Sequence, residues 1–146
     1  MSAPAHLVRR FRGSLSRAEP PPSDTDWVRS LLLEREADLW GRMAVQDRRH
    51  SIAVARRFVA LAPTTTRPAV AGALLHDVGK QLAALGTFTR VAATLVGPRT
   101  ERFRLYHDHE ALGAALLADA GSDPATVELV RGDGPWVATL RIADDV

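Results

Sequence analysis

Four stretches of this chain place an imidazole or a carboxylate on, or beside, the apolar stripe of a helix-forming run. His50 falls in register with Val54, Phe58 and Leu61, and His109 with Leu105, Leu112 and Leu116. His76-Asp77 closes the apolar run Ala71-Gly72-Ala73-Leu74-Leu75, and Asp144 aligns with Val137 and Leu140. A polar group turned inward without a partner costs on the order of a few kcal/mol, and a charge costs more. Several such groups on separate helices need a common partner, and a shared metal ion supplies one. Neutral imidazoles with carboxylates suit an octahedral Mn²⁺ or Fe²⁺, and also Zn²⁺, Ni²⁺, Co²⁺ or Mg²⁺. The competing reading of each residue is a helix cap, a hydrogen-bonded core group or a surface charge.

The elements that must position these residues read as helices, with almost no strand-like alternation. Thr25 caps a first helix through Trp27, Leu31 and Leu39 to about Gly41. A second runs from about Met43 to Leu61 and stops at Pro63; a third starts by Pro68 and closes around Gly79. Further apolar stretches cover about 87–96, 105–120 and 123–130, punctuated by Gly97-Pro98, Gly121 and Gly132-Asp133-Gly134-Pro135. The last runs from Trp136 to the C-terminus. Short connections predict one all-α domain, a bundle of about six to seven helices over 23–146. Residues 1–22, ending in Pro20-Pro21-Pro22, lack periodicity and read as a basic, mobile or loosely docked arm.

Composition narrows the chemistry. The 146 residues are 46% hydrophobic and 25% charged, enough for one core. The absence of cysteine excludes a disulfide scaffold, a thiolate zinc site, an iron–sulfur cluster and a cysteine nucleophile. No run of apolar residues reaches membrane-spanning length, and no apolar segment follows the N-terminal arginines, so the expected setting is cytoplasmic. Arg9, Arg10, Arg12 and Arg17 against Glu19 give the arm +3 of the total +2, leaving −1 for the remainder. Basic character confined to the arm argues against a nucleic-acid footprint across the domain. Trp27, Trp40 and Trp136 offer apolar area either to the core or to an interface between copies of the chain.

The dipeptide His-Asp is not informative by itself, since His107-Asp108 repeats it. Its setting separates the first instance. Ala73-Leu74-Leu75-His76-Asp77-Val78-Gly79-Lys80 resembles the signature of the HD-domain superfamily of metal-dependent phosphohydrolases. Arg49-His50-Ser51-Ile52-Ala53-Val54-Ala55 is similar to that family's first histidine and its helix. His109-Glu110-Ala111-Leu112-Gly113-Ala114 resembles a later His-x-x-x-Gly-Ala element, and Ile142-Ala143-Asp144 the closing Ala-Asp. The resemblance covers roughly residues 40–146. It implies that His50, His76, Asp77 and Asp144 bind one divalent ion, with Asp145 the competitor for the last place. Glu128 to Pro135, where two-metal branches supply a further histidine, has none, so one ion per chain is expected.

The activity so implied is hydrolysis of a nucleotide or related small phosphate ester by a metal-activated water. Asp77 would orient or deprotonate that water. Lys80, one turn beyond His76 if the helix persists, would meet a substrate phosphate or cap the helix C-terminus. His109 would contact substrate or a second metal, or be a buried histidine bonded to backbone; Arg131 would clamp a phosphate or be solvated. The alternative from another class is a regulatory module that binds a nucleotide or phosphate ligand without turning it over.

Overall fold

A computed structural model of the chain describes residues 18–80 and 109–145. Seven helices and no strand occur among them: α1 (Pro22–Leu31), α2 (Glu34–Gly41), α3 (Val45–Leu61), α4 (Arg67–Leu74), α5 (His109–Asp119), α6 (Pro124–Arg131) and α7 (Val137–Asp144). The expected apolar stretch at 87–96 and the start of the one at 105 lie outside the described residues, as does the arm up to residue 17.

Two expected helices are interrupted. The run from Thr25 to Gly41 is two helices, because Leu32 and Leu33 are extended (ψ 144° and 160°). The first begins not at Thr25 but at Pro22, whose missing N–H and fixed φ suit the first helical position. The break is stabilised by Glu36, whose Oε1 accepts a hydrogen bond from Leu33 N at 2.8 Å and so starts α2 afresh. The third helix ends at Leu74 rather than Gly79. Residues 75–77 form a turn, and helix resumes at 78–80. There the Ala73 carbonyl, which the Asp77 N–H would reach in a continuous helix, accepts a hydrogen bond from His76 Nδ1 at 2.7 Å.

At the centre is α4, buried from Ala69 to Leu74 and packed against α1, α3 and α6. Thr66 caps its start, accepting from Ala69 N. α3 turns Ser51, Ile52, Val54, Ala55 and Phe58 inward, while Leu61, expected on the same stripe, is 52% exposed at the helix end. α7 lies on α3, with Trp136 edge-on to Phe58 at 6.1 Å. Trp40 is buried, and Trp27 and Trp136 pack against the core. Of the arm, Glu19 pairs with Arg48 at 3.0 Å and the Ala18 carbonyl accepts from Arg49, so both are tied to α3.

One close approach fixes how the turn at 75–77 sits. A Cβ on Gly79 would collide with the His109 carbonyl and with Gly113 N, so the chain after His76-Asp77 runs backbone against backbone with α5.

Candidate metal centre

His50 from α3, His76 and Asp77 from the turn after α4, and Asp144 from the end of α7 offer ligand atoms that all lie within 4.8 Å of one another. His50 Nε2 is 2.9 Å from Asp144 Oδ1, while His76 Nε2 is 3.3 Å from the same oxygen and 3.4 Å from Asp77 Oδ2. Neighbouring ligands about 2.1 Å from an ion are themselves about 3.0 Å apart in octahedral and about 3.4 Å apart in tetrahedral coordination. The observed separations fit either.

The buried wall of the cluster is His76, with 9% of its side chain exposed. Because Nδ1 donates its hydrogen to the Ala73 carbonyl, the neutral ring has an unprotonated Nε2 facing the other three residues. That Nε2 is buried and has no hydrogen-bond partner among the described residues. Its neighbours are carboxylate oxygens, which also only accept. A cation, either a proton or a metal ion, resolves this collection of lone pairs.

The electrostatics follow. Burial alone would lower the His76 pKa, but the Asp144 carboxylate beside Nε2, the charge of Asp77 and the bond to Ala73 outweigh it and raise the value. Asp144 is held well below the usual carboxylate range by His50 and His76, against the opposing effect of its burial. Asp144 is positioned from behind as well: Arg57 Nε donates to the carbonyl of Ala143 at 2.7 Å.

The remaining candidates are placed as follows. Lys80 is exposed in the helical turn 78–80 and lies within electrostatic range of Asp47. His109 opens α5 with a buried Nδ1 that has no hydrogen-bond partner among the described residues; it is not in the cluster. Arg131 is exposed at the end of α6, and no contact among the described residues ties it to the cluster. Asp145 caps α7 outside the cluster. Together with Arg141, Ile142 and Asp144 it lines a surface depression of about 380 Å³.

Two neighbours escaped the sequence reading. Asp47, one turn before His50, has its pKa raised by burial and by Asp77, with His50 and Lys80 opposing. Its i, i+3 spacing to His50 was the available signal. Arg57 had none, since its partner is a backbone carbonyl 86 residues away in sequence. Searches against family models, curated proteins and solved structures return no match for the chain.

Proposed function

We propose that the chain is a metal-dependent phosphohydrolase of the HD-domain type, acting on a nucleotide or related phosphate ester. The observation that carries this reading is the buried, partnerless His76 Nε2 facing two carboxylates and a second imidazole. A divalent ion in such a setting supplies an acidified water and compensates charge on a phosphoryl group.

The chain's own residues do the rest. The Ala73 carbonyl fixes the His76 tautomer and ring plane, and Arg57 fixes the backbone that carries Asp144. Asp77, about one-third exposed, stands at the open side of the cluster, where its carboxylate takes the proton of an attacking water. Lys80, exposed beyond Asp77, presents an ammonium to the phosphate. The leaving oxygen takes up that proton from Asp77 as the P–O bond breaks and departs as the alcohol.

The test is metal content by elemental mass spectrometry on protein purified without chelator or metal-affinity resin, beside Asp77→Ala. About one transition ion per chain, lost in the variant, supports the reading. A substrate screen with that ion then follows, over phosphomonoesters and phosphodiesters. No uptake, even after incubation with Mn²⁺ or Fe²⁺, overturns it.

A further inference from the structure

Beside Asp144 the surface carries an arginine, Arg141, that no carboxylate among the described residues holds in an ion pair. Arg141 lies one helical turn before Asp144 on α7, so the two share a side of the helix. Both line the depression that Ile142 and Asp145 complete. The other arginines near the core are engaged: Arg48 with Glu19, Arg56 with Asp24, Arg67 with Asp123, and Arg57 with the Ala143 carbonyl. The Arg141 guanidinium makes no hydrogen bond or ion pair among the described residues. It leans toward the Gly132 turn between α6 and α7, where Glu110 also arrives, outside ion-pair distance.

We propose that Arg141 is a second phosphate-binding residue of this site beside Lys80, taking non-bridging oxygens of a phosphomonoester while Ile142 and Asp145 receive its organic half. The assignment rests on the phosphohydrolase reading above and names the substrate class. Charge is the first reason. Asp77 and Asp144 together match a divalent ion, so a dianionic phosphate calls for two further positive charges, of which Lys80 supplies one. A guanidinium one turn away offers two parallel N–H donors for that purpose. The rest of the depression sets the other half of the ligand. Asp145 repels a phosphate at its own end but accepts a hydrogen bond from a hydroxyl there. Ile142, 59% exposed, offers an apolar face. A phosphomonoester whose alcohol combines hydroxyls with a flat apolar surface fits this sequence of groups, as a nucleoside monophosphate does.

The experiment is calorimetric titration of AMP and of orthophosphate into the full chain, Mn²⁺-loaded and metal-free. It compares wild type with Arg141→Ala, Arg141→Lys, Ile142→Ser and Arg131→Ala, and Mn²⁺ stoichiometry is measured on each. Arg141→Ala is expected to weaken both probes about tenfold or more, with Mn²⁺ uptake unchanged and only partial recovery in Arg141→Lys. Ile142→Ser should weaken AMP and spare orthophosphate, and Arg131→Ala should alter neither. Unchanged affinity in Arg141→Ala overturns the assignment, as does a Mn²⁺-loaded wild type that binds neither probe. Should the wild type take up no Mn²⁺, the metal reading fails separately. The metal-free titrations then decide: AMP binding lost in Arg141→Ala upholds Arg141, and binding that is absent or unaffected overturns it.

Discussion

With the Nδ1 hydrogen committed to Ala73, His76 has one free nitrogen, and whatever occupies it decides how the protein responds to pH. In metal-free protein that occupant is a proton at pH values below the raised His76 pKa. The His76 pKa is raised in the folded state, so its contribution to stability is complete below the ordinary imidazole value of about 6.5 and is lost as pH rises through the higher folded value. Asp144 has the opposite sign. Its depressed pKa contributes stability above the ordinary carboxylate value of about 3.9, lost as pH falls toward the folded value. The melting temperature of metal-free protein should therefore be highest between about pH 4 and 6.5 and decline above neutrality. Saturating Mn²⁺ should reverse that decline, since the ion replaces the proton that has left. Thermal scans from pH 4 to 9, with and without Mn²⁺, check this. A metal-free curve that is flat through neutrality would sink it. Asp144→Asn should abolish Mn²⁺ uptake and reduce the alkaline slope, because it removes the charge that raises His76.

At the scale of elements, the site depends on a turn that is held by its neighbours. Gly79 touches the α5 backbone, and backbone cannot move aside as a flexible side chain can. Gly79→Ala is expected to cost about 1–3 kcal/mol or more in chemical denaturation and to lower Mn²⁺ affinity, since the strain falls two residues from Asp77. Gly41→Ala is the control: a Cβ there meets nothing within 4 Å, and a helical alanine should be neutral or gain about 0.5–1 kcal/mol. Arg57→Met should lower Mn²⁺ affinity by a different route, by freeing the Ala143 carbonyl and with it the backbone of Asp144. Equal Mn²⁺ affinity in Arg57→Met and wild type would remove Arg57 from the positioning of the cluster.

These elements also show what could be read from the sequence. The all-helical architecture was legible because apolar periodicity and Gly/Pro punctuation agree along most of the described chain. So were the four positions that come together in the cluster, since each sits on an apolar stripe or at the end of one. The two helix breaks were not. Leu31-Leu32-Leu33 and Leu74-Leu75 continue the apolar pattern across them, and the breaks follow from the bonds that Glu36 and His76 make to backbone. Arg57 and Arg141 were hidden for a related reason. In a chain with 18 arginines none stands out by type, and only the fold shows which guanidinium is engaged.

For the whole molecule, His50 and Asp144 meet across 94 residues, so the complete cluster exists only in the folded domain. An ion that binds it stabilises by about 2.7 kcal/mol at a free concentration one hundred times its dissociation constant. That increment depends on the cluster and not on how stable the remainder is, and Glu36 allows the two to be separated. Its fully buried carboxylate accepts from Leu33 N and from Ser122 Oγ at 2.6 Å, and Arg67 lies 3.7 Å away. It therefore joins the start of α2, the start of α4 and the α5–α6 connection, and contributes no atom to the metal cluster. Glu36→Gln removes the charge opposite Arg67 and turns an acceptor into a donor against a donor. The expected cost is about 1–3 kcal/mol in urea denaturation. If the domain folds as one cooperative unit, Mn²⁺ should raise the stability of Glu36→Gln by the same amount as that of wild type, at unchanged stoichiometry. A smaller increment in the variant would mean that the α2–α4–α5 junction and the metal centre are mechanically coupled. An equal one would mean that they share only the core.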